Sequence, residues 1–213
     1  MLEGKRFVIT AGPTWEALDP VRGITNRSSG KMGYALAEVA IQNGAEVVLI
    51  TGPVCITPPE GAQVTKVQSA VEMYQAVHSE VTEADVFISV AAVADYRPSE
   101  VQPQKIKKQG DTMTLTLVKN PDIVASVGQL KQNRPFTVGF AAETQNIEAF
   151  ARGKLIQKGL DLIAANDVSN AELGFGSDEN RLWVFSKNER IDLGRNSKLS
   201  LAQALLVEIE SRL

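Results

Sequence analysis

The chain has 213 residues, of which 44% are hydrophobic and 22% are charged, and its formal net charge is -3 at pH 7. This composition is typical of a globular protein and shows no bias toward disorder, collagen or repeats. Because the basic residues are spread along a slightly acidic chain, nucleic-acid binding is not expected as its main function. One cysteine, Cys55, and one histidine, His78, exclude an internal disulfide and a Cys/His zinc site.

The start of the chain resembles a strand and not a signal peptide, and no window approaches the ~18 consecutive apolar residues of a membrane span. We therefore expect a reduced, cytoplasmic protein. His78 falls in a predicted helix, far from the strand ends, and is expected at the surface.

In the first half of the chain, apolar runs rich in β-branched residues alternate with segments of helical period. This pattern predicts a Rossmann-like α/β fold, a mostly parallel sheet flanked by helices. The predicted elements are a strand from Arg6 to Ala11, a helix from Lys31 to Asn43 closed by Gly44, strands from Glu46 to Thr51 and Val64 to Val67, a helix from Ser69 to Val81, and a buried strand from Val86 to Ala92. Ser69 and Glu72 form a predicted capping box at the second helix.

The alternation then breaks at an inserted arm, about residues 97–118. Lys105 to Lys108 and Thr112 to Val118 are both extended patterns joined by a turn at Gln109 to Asp111, so a β-hairpin or arm is predicted. The later elements are a helix opened by Asn120 and Pro121, strands from Phe136 to Phe140 and Leu162 to Ala165, a helix from Ile147 to Lys158 ended by Gly159, antiparallel strands from Arg181 to Ser186 and Arg190 to Leu193, and a last helix capped by Ser197. One domain spanning residues 1–213 is the simplest organisation.

Ligands of an open parallel sheet bind beyond the carboxyl ends of its strands, because loops and helix N-termini meet there. Four predicted strands are followed by loops that are small and polar: Gly12 to Thr14, Ala91 to Tyr96, Ala141 to Thr144 and Asn166 to Ser169. Alanine pairs allow close approach of a ligand, while Asp95, Glu143 and Asp167 offer hydrogen bonds or metal contacts. Tight packing under helices is the competing explanation for any single loop.

The stretch from Asn26 to Gly33, Asn-Arg-Ser-Ser-Gly-Lys-Met-Gly, has the composition of a phosphate-binding turn. It is not a Walker motif, because Thr25 replaces the first glycine and Met32 replaces the magnesium-binding Ser/Thr. The spacing Ser28-x-Gly30-x-x-Gly33 imitates a dinucleotide fingerprint and opens a predicted helix. Free amides at a helix N-terminus, with serine hydroxyls and a lysine nearby, predict an anion site, and an ordinary capped helix is the alternative left open.

Two groups of lysines support an anionic ligand. Lys154 and Lys158 lie four residues apart and share one face of a predicted helix. Lys105, Lys107 and Lys108 crowd the arm, where they either close over phosphates or protect a solvated edge from strand pairing. Without a second histidine or cysteine, covalent catalysis is not expected, so any chemistry must depend on positioning and charge neutralisation.

As a set, these motifs closely resemble the bacterial phosphopantothenate-cysteine ligase, often the C-terminal half of a bifunctional coenzyme A biosynthesis protein. The motifs, in order along nearly the whole chain, are Ile9 to Thr14, Asp19 to Arg22, Asn26 to Gly33, Ala91 to Tyr96, Lys105 to Lys108, Lys119 to Ile123, Gly139 to Thr144 and Ala165 to Val168. The resemblance implies that the carboxylate of 4'-phosphopantothenate attacks the α-phosphate of CTP, giving an acyl-cytidylate and pyrophosphate. The amine of L-cysteine then displaces CMP.

The resemblance also implies roles for particular residues. Asn26 engages the acyl-cytidylate, Arg22 is its neighbouring arginine, and Lys105 serves the cysteine half-reaction and lies near the nucleotide. Contacts with the activated acyl group, cytidine and triphosphate are implied for Gly12, Ser28, Ser29, Gly30, Ser89, Val90, Ala91, Asp95, Lys105, Pro121, Asp122, Ile123, Val124, Phe140, Lys154 and Lys158. Mg²⁺ is expected on the triphosphate, near Asp95. Trp15 departs from the family pattern, since a basic residue is expected there.

A homodimer is implied as well, and a flavin-dependent decarboxylase half is not in this sequence, so a free-standing ligase and an excised domain are both open. Two other functions are weighed. An NAD(P)-dependent oxidoreductase would use the same sheet, but no acid follows the second strand to bind a ribose and no Tyr-x-x-x-Lys pair is present. A non-catalytic nucleotide-binding module is the third possibility.

Overall fold

The β-branched runs of the sequence form the core strands of an eight-stranded sheet in the computed structural model, which describes residues 2–108, 110–143, 145–167 and 176–213. The strands are Arg6–Ala11 (β1), Trp15–Ala17 (β2), Gly23–Thr25 (β3), Glu46–Thr51 (β4), Gln63–Lys66 (β5), Val86–Ser89 (β6), Tyr96–Pro98 (β7), Leu117–Lys119 (β8), Phe136–Glu143 (β9), Leu162–Asp167 (β10), Glu179–Phe185 (β11) and Arg190–Ser197 (β12). The α-helices are Lys31–Gln42 (α1), Ala70–Glu80 (α2), Ile123–Gly128 (α3), Ile147–Lys158 (α4) and Lys198–Glu210 (α5). None of the described helices is long and apolar enough to cross a membrane.

The large sheet has the order β12-β11-β10-β9-β6-β1-β4-β5. Its strands from β10 to β5 are parallel, and β11 and β12 each pair antiparallel with the preceding strand in the chain. The central strand β1 has no exposed face, since Phe7, Val8 and Ile9 are all fully buried. These observations confirm the predicted Rossmann-like α/β fold with antiparallel additions.

Helices cover both faces of the sheet, and this determines where a cavity can open. Helices α1 and α5 pack with the side chains of Phe7 and Ile9, whereas α2 and α3 pack with Val8 and α4 covers β9 and β10. The neighbouring strands β1 and β6 are therefore continued by helices on opposite faces, α1 and α3. Such a change of face leaves a crevice at the carboxyl ends of the two strands.

Several predicted bounds are confirmed. Strands β1 and β4 and helix α4 have the predicted limits. The Ser69 hydroxyl accepts from the Glu72 N–H at the start of α2, and the Ser197 hydroxyl accepts from the Ser200 N–H at the start of α5. In place of a complete capping box, the Glu72 carboxylate accepts from the N–H of Gln68.

The arm was predicted incorrectly as a hairpin of Lys105 to Lys108 with Thr112 to Val118. Instead, β7 pairs antiparallel with β8, and the described residues between them form no strand. Residues 112–116 are all exposed and lie outside any strand, and a lone hairpin is marginal in water. Gln109 of the predicted turn lies outside the described residues.

Three further predictions are corrected. Strand β6 ends at Ser89 and not at Ala92, because the next two N–H groups, of Val90 and Ala91, donate to the side-chain hydroxyl of Thr10 on β1. Helix α3 begins at Ile123 with Asp122 as its cap, because the Asn120 amide donates to the Ala94 carbonyl instead. His78 is only partly exposed and contacts the hydroxyl of Ser126 on α3, and burial lowers its pKa.

Candidate functional site

A cavity of about 330 Å³ opens at the carboxyl edge of the sheet, where β1 and β6 diverge. The predicted nucleotide contacts that line it are Gly12, Ser28, Ser29, Gly30, Ser89, Val90, Ala91, Asp95, Pro121, Asp122, Ile123, Val124, Phe140, Lys154 and Lys158. The structure therefore brings together every predicted contact of this kind except Lys105, although their part in binding stays a prediction. Glu143 and Asp167 are described only by their backbone, and Thr144, Val168 and Ser169 lie outside the described residues.

The N-terminus of α1 opens onto the cavity without a side-chain cap. Its N-cap residue, Gly30, has φ 79°, and neither a capping hydrogen bond nor an acidic residue is present in the first turn. The first N–H groups of a helix have no partner within the helix and carry a partial positive charge. The arrangement differs from an ordinary capped helix and suits a bound anion.

Gly33 sets the distance between α1 and β1. A Cβ atom at Gly33 would lie 2.6 Å from the Cβ of Ala11 and 3.2 Å from the carbonyl oxygen of Thr10. Helix α1 can therefore approach the strand only because this residue has no side chain.

We expect Gly33→Ala to lower the free energy of unfolding by about 1–3 kcal/mol, because the extra methyl group overpacks the helix-strand contact. Chemical denaturation measures the change in the free energy of unfolding. Gly153→Ala is the matched control: Gly153 lies within α4 with nothing within 4 Å of the added Cβ, so alanine should stabilise by about 0.5–1 kcal/mol. Equal effects of the two substitutions would contradict the close-approach argument.

Two threonines of the β1 segment hold the loop that follows β6. The Thr10 hydroxyl accepts from the N–H groups of Val90 and Ala91 at 3.2 and 3.3 Å, and the buried Thr14 hydroxyl accepts from the N–H of Ala94 at 3.0 Å. These threonines were not among the predicted site residues. Their signal was present in the sequence, since hydroxyl side chains at the end of a buried strand need polar partners.

Thr14→Val is expected to lower the free energy of unfolding by about 1–3 kcal/mol, because it leaves the buried Ala94 N–H without its acceptor. Thr14→Ser keeps the hydroxyl and serves as the control. Denaturation should find the valine variant less stable than the serine variant. The reverse order would show that packing of the methyl group, and not the hydrogen bond, holds this loop.

Lysines approach the cavity from the face of the sheet covered by α3 and α4. Lys158 Nζ lies 3.0 Å from a carboxylate oxygen of Asp122, the cap of α3, and Lys154 lines the cavity one turn earlier on α4. As predicted from their spacing, both lysines face the same way. These two lysines bring positive charge to this wall of the cavity, and the Asp122 carboxylate, which caps α3 and pairs with Lys158, balances part of it.

The opposite wall, beside α1 and α5, contains Lys31, the lysine of the predicted anion site, and Lys198, which sequence reasoning missed. Lys198, the first residue of α5, is 7% exposed and donates to the carbonyl of Ser177. Lys31 Nζ lies 2.6 Å from a carboxylate oxygen of Asp178. Burial, and then the charge of Lys31, lower the pKa of Lys198. No local sequence pattern indicates a role for Lys198. It lies at the cavity only because the chain returns there after the antiparallel strands β11 and β12.

The buried side chains of Asn166 and Asn180 also line the cavity near this wall. Asn180 accepts from the N–H of Arg181, whereas the structure records no hydrogen bond for the Asn166 side chain within the described residues. The Asn166 side chain is thus available to a ligand.

The small sheet of β2 and β3, not predicted from the sequence, positions two of the three residues expected to be catalytic, Arg22 and Asn26. Asn26 follows β3, and its Nδ2 donates to the carbonyl of Ala92 at 2.9 Å, which places it beside the cavity lining. Arg22, in the turn between the strands, pairs with Asp19, and Lys105 is exposed on the arm. None of the three residues expected to be catalytic is itself among those that line the cavity. The Trp15 ring packs against the backbone of Gly23, at the place that a Cβ atom would occupy if this residue had a side chain.

No group of three or more His, Cys, Asp or Glu side chains that could hold a metal ion occurs in the described part of the chain. The exposed carboxylate of Asp95 lines the cavity, opposite lysines on either wall. One carboxylate is the contribution that Mg²⁺ usually takes from a protein when substrate phosphates supply its other ligands. The residues present fit that mode of binding.

The fold and this cavity define a Rossmann-like α/β protein with a lysine-lined cavity at the carboxyl edge of its sheet. The chain belongs to the family described as the DNA/pantothenate metabolism flavoprotein C-terminal domain, which matches residues 2–213. Over 208 residues it is 58% identical to the coenzyme A biosynthesis bifunctional protein CoaBC of Vibrio cholerae, covering 97% of this chain and 52% of that protein. The chain therefore spans about half the length of the curated relatives it matches.

Two solved structures agree with this assignment. The C-terminal domain of a coenzyme A biosynthesis bifunctional protein CoaBC is 41% identical, with a TM-score of 0.84, and the match covers 99% of this chain and 96% of that one. The DNA/pantothenate metabolism flavoprotein from Streptococcus pneumoniae is 26% identical, with a TM-score of 0.83, and the match covers 98% and 99%. The resemblance inferred from the motifs is confirmed.

Proposed function

We propose that the chain is a phosphopantothenate-cysteine ligase of coenzyme A biosynthesis that uses CTP and proceeds through an acyl-cytidylate. Membership of the family and the similarity to CoaBC proteins support the general activity. The choice of CTP and the intermediate rest on the motif resemblance.

The observation that carries this proposal is the distribution of positive groups around one cavity. The N-terminus of α1, with Lys31 and Lys198, lies on one wall, and Lys154 and Lys158 lie on the other. CTP and 4'-phosphopantothenate together bring four phosphate groups into one site. Cations on both walls and the N-terminus of α1 reduce the repulsion between these phosphates.

In the proposed first step, a carboxylate oxygen of 4'-phosphopantothenate attacks the α-phosphorus of CTP, and the bond to the β-phosphate oxygen breaks to release pyrophosphate. The substrate supplies the nucleophile, so the protein needs only to align the two reactants and neutralise charge. Asn26 is assigned to this alignment, and its hydrogen bond to the Ala92 carbonyl, which ties it to the loop after β6, supports the assignment. Mg²⁺, when bound to the triphosphate, supplies further charge neutralisation.

In the proposed second step, the amine of cysteine attacks the acyl carbon, the bond to the CMP oxygen breaks, and the amine loses a proton as the amide forms. Lys105 is assigned to this step. Its exposed position on the arm means that the arm must bring it toward the acyl group. Arg22 and Lys105 lie on neighbouring segments, which are in direct contact at Ile106.

The proposal is tested by pyrophosphate release from the purified protein with Mg²⁺, 4'-phosphopantothenate and either CTP or ATP, with and without cysteine. The acylated product is followed by mass. We expect release that depends on phosphopantothenate and prefers CTP, and a cysteine adduct only when cysteine is present. A folded protein that binds CTP without releasing pyrophosphate would instead be a non-catalytic nucleotide-binding module, and preferential NAD(P) binding would favour an oxidoreductase.

The same proposal includes a homodimer in the cytoplasm, acting beside a phosphopantothenoylcysteine decarboxylase that is fused to it or separate. The expected mass in solution is that of two chains, measured by light scattering. A monomer with full ligase activity would contradict the dimer.

A further inference from the structure

One buried carboxylate joins the turn between β2 and β3 to the arm. The Asp19 side chain has no exposed surface. Its Oδ1 accepts from the N–H groups of Val21 and Arg22, both at 2.8 Å. Its Oδ2 accepts from Nε and Nη2 of Arg22 at 3.0 and 2.7 Å and from the N–H of Ile106 at 3.1 Å. We call these contacts the Asp19 clasp.

The clasp is the last anchor of the arm before its exposed portion. The Gln102 N–H donates to the Leu18 carbonyl at 2.9 Å, and Arg22 Nη2 donates to the Ile106 carbonyl at 2.9 Å. For the described residues beyond Ile106, up to residue 115, the structure records no hydrogen bond. Lys105 is therefore held at one side by the clasp and followed by a segment without such contacts.

The charge of Asp19 matches this role. The hydrogen bond from the Arg22 side chain, followed by the backbone bonds from Val21, Ile106 and Arg22, holds the pKa of Asp19 well below its usual range. The carboxylate is consequently ionised at neutral pH. Hydrogen bonds to an ionised acceptor are stronger than those between neutral groups.

We propose that Asp19 is a positioning residue for the cysteine step, because its clasp on Ile106 sets where the arm presents Lys105. The inference rests on the proposed function. It adds a residue that does not itself touch the reacting atoms and acts through the arm.

Asp19→Asn separates the two halves of the clasp. The asparagine oxygen can still accept from the N–H groups of Val21 and Arg22 and keep the turn, while its NH₂ group faces the donors of Arg22 and Ile106. By hydrogen exchange we expect the Ile106 amide to exchange about tenfold faster or more, since bonds to charged groups are worth at least that factor. The Gln102 amide, which bonds to a carbonyl, should change less.

The matched control is Asp192→Asn, which removes the carboxylate of an exposed pair with Arg181 on β12 and β11. It should leave exchange at Ile106 unaltered. Unchanged exchange at Ile106 in Asp19→Asn would overturn the clasp, whatever the activity.

The role in the reaction is tested in single turnover. Asp19→Asn should slow consumption of the acyl-nucleotide by cysteine about tenfold or more, and slow the earlier release of pyrophosphate less. In a Lys105→Ala background it should have no further effect on the cysteine step, because residues acting through one contact are non-additive. Additive losses, or equal slowing of both steps, would overturn the positioning role. Absence of product from the unsubstituted protein would overturn the proposed function, and exchange at Ile106 would still decide the clasp.

Discussion

Asn26→Asp is expected to lower the rate of product formation at least about a hundredfold and leave the protein folded. The Asn26 amide donates to the Ala92 carbonyl at 2.9 Å beside the cavity. Aspartate has the same shape but no N–H, so its carboxylate would repel both that carbonyl and the phosphates of the substrates. The rate is measured from the mass of the cysteine adduct, and folding from the denaturation curve.

Asn43→Asp makes the same chemical change in a matched position. Asn43 ends α1, and its Nδ2 donates to the Val39 carbonyl at 2.7 Å, away from the cavity. A carboxylate at a helix C-terminus opposes the helix dipole, so this control should lose stability and keep its activity. Turnover of Asn26→Asp at the rate of the unsubstituted protein would contradict the role assigned to Asn26.

Lys198→Met is expected to weaken CTP binding about tenfold or more without lowering the free energy of unfolding. Lys198 is buried at the positive end of α5 and beside Lys31, an unfavourable place for a cation. Methionine fills a similar volume and removes a buried charge, which offsets the loss of the hydrogen bond to the Ser177 carbonyl, so stability should stay equal or rise. A bound phosphate would lose one charge-assisted contact. Calorimetric titration with CTP and denaturation without ligand measure the two effects.

Lys5→Met is the control, since Lys5 pairs with Asp85 at 2.9 Å at the other end of β1. This variant should bind CTP normally and lose little stability, because the pair is partly exposed. A loss of stability in Lys198→Met with unchanged CTP affinity would mean that Lys198 is structural. Both variants weakening CTP binding equally would point to a general effect of net charge.

Much of the site could be predicted because its residues lie at the ends of strands with strong local patterns. The run from Arg6 to Ala11 is apolar and β-branched, so its carboxyl end and Gly12 were found without a structure. The glycine spacing from Ser28 to Gly33 similarly indicated the start of α1. The hairpin predicted for the arm was wrong for the opposite reason, since the alternating residues 112–116 are exposed and lie outside any strand.

By itself, the sequence determined the α/β class, the strands of the core and the loops at their carboxyl ends, since hydrophobic period and turn residues act over a few neighbouring positions. Only the tertiary structure decided that Lys198 and Asn180 return to the cavity and that Asp19 holds Ile106, 87 positions away. Local patterns carry no information about such contacts. They depend on the order of strands in the sheet and on which face each connecting helix covers.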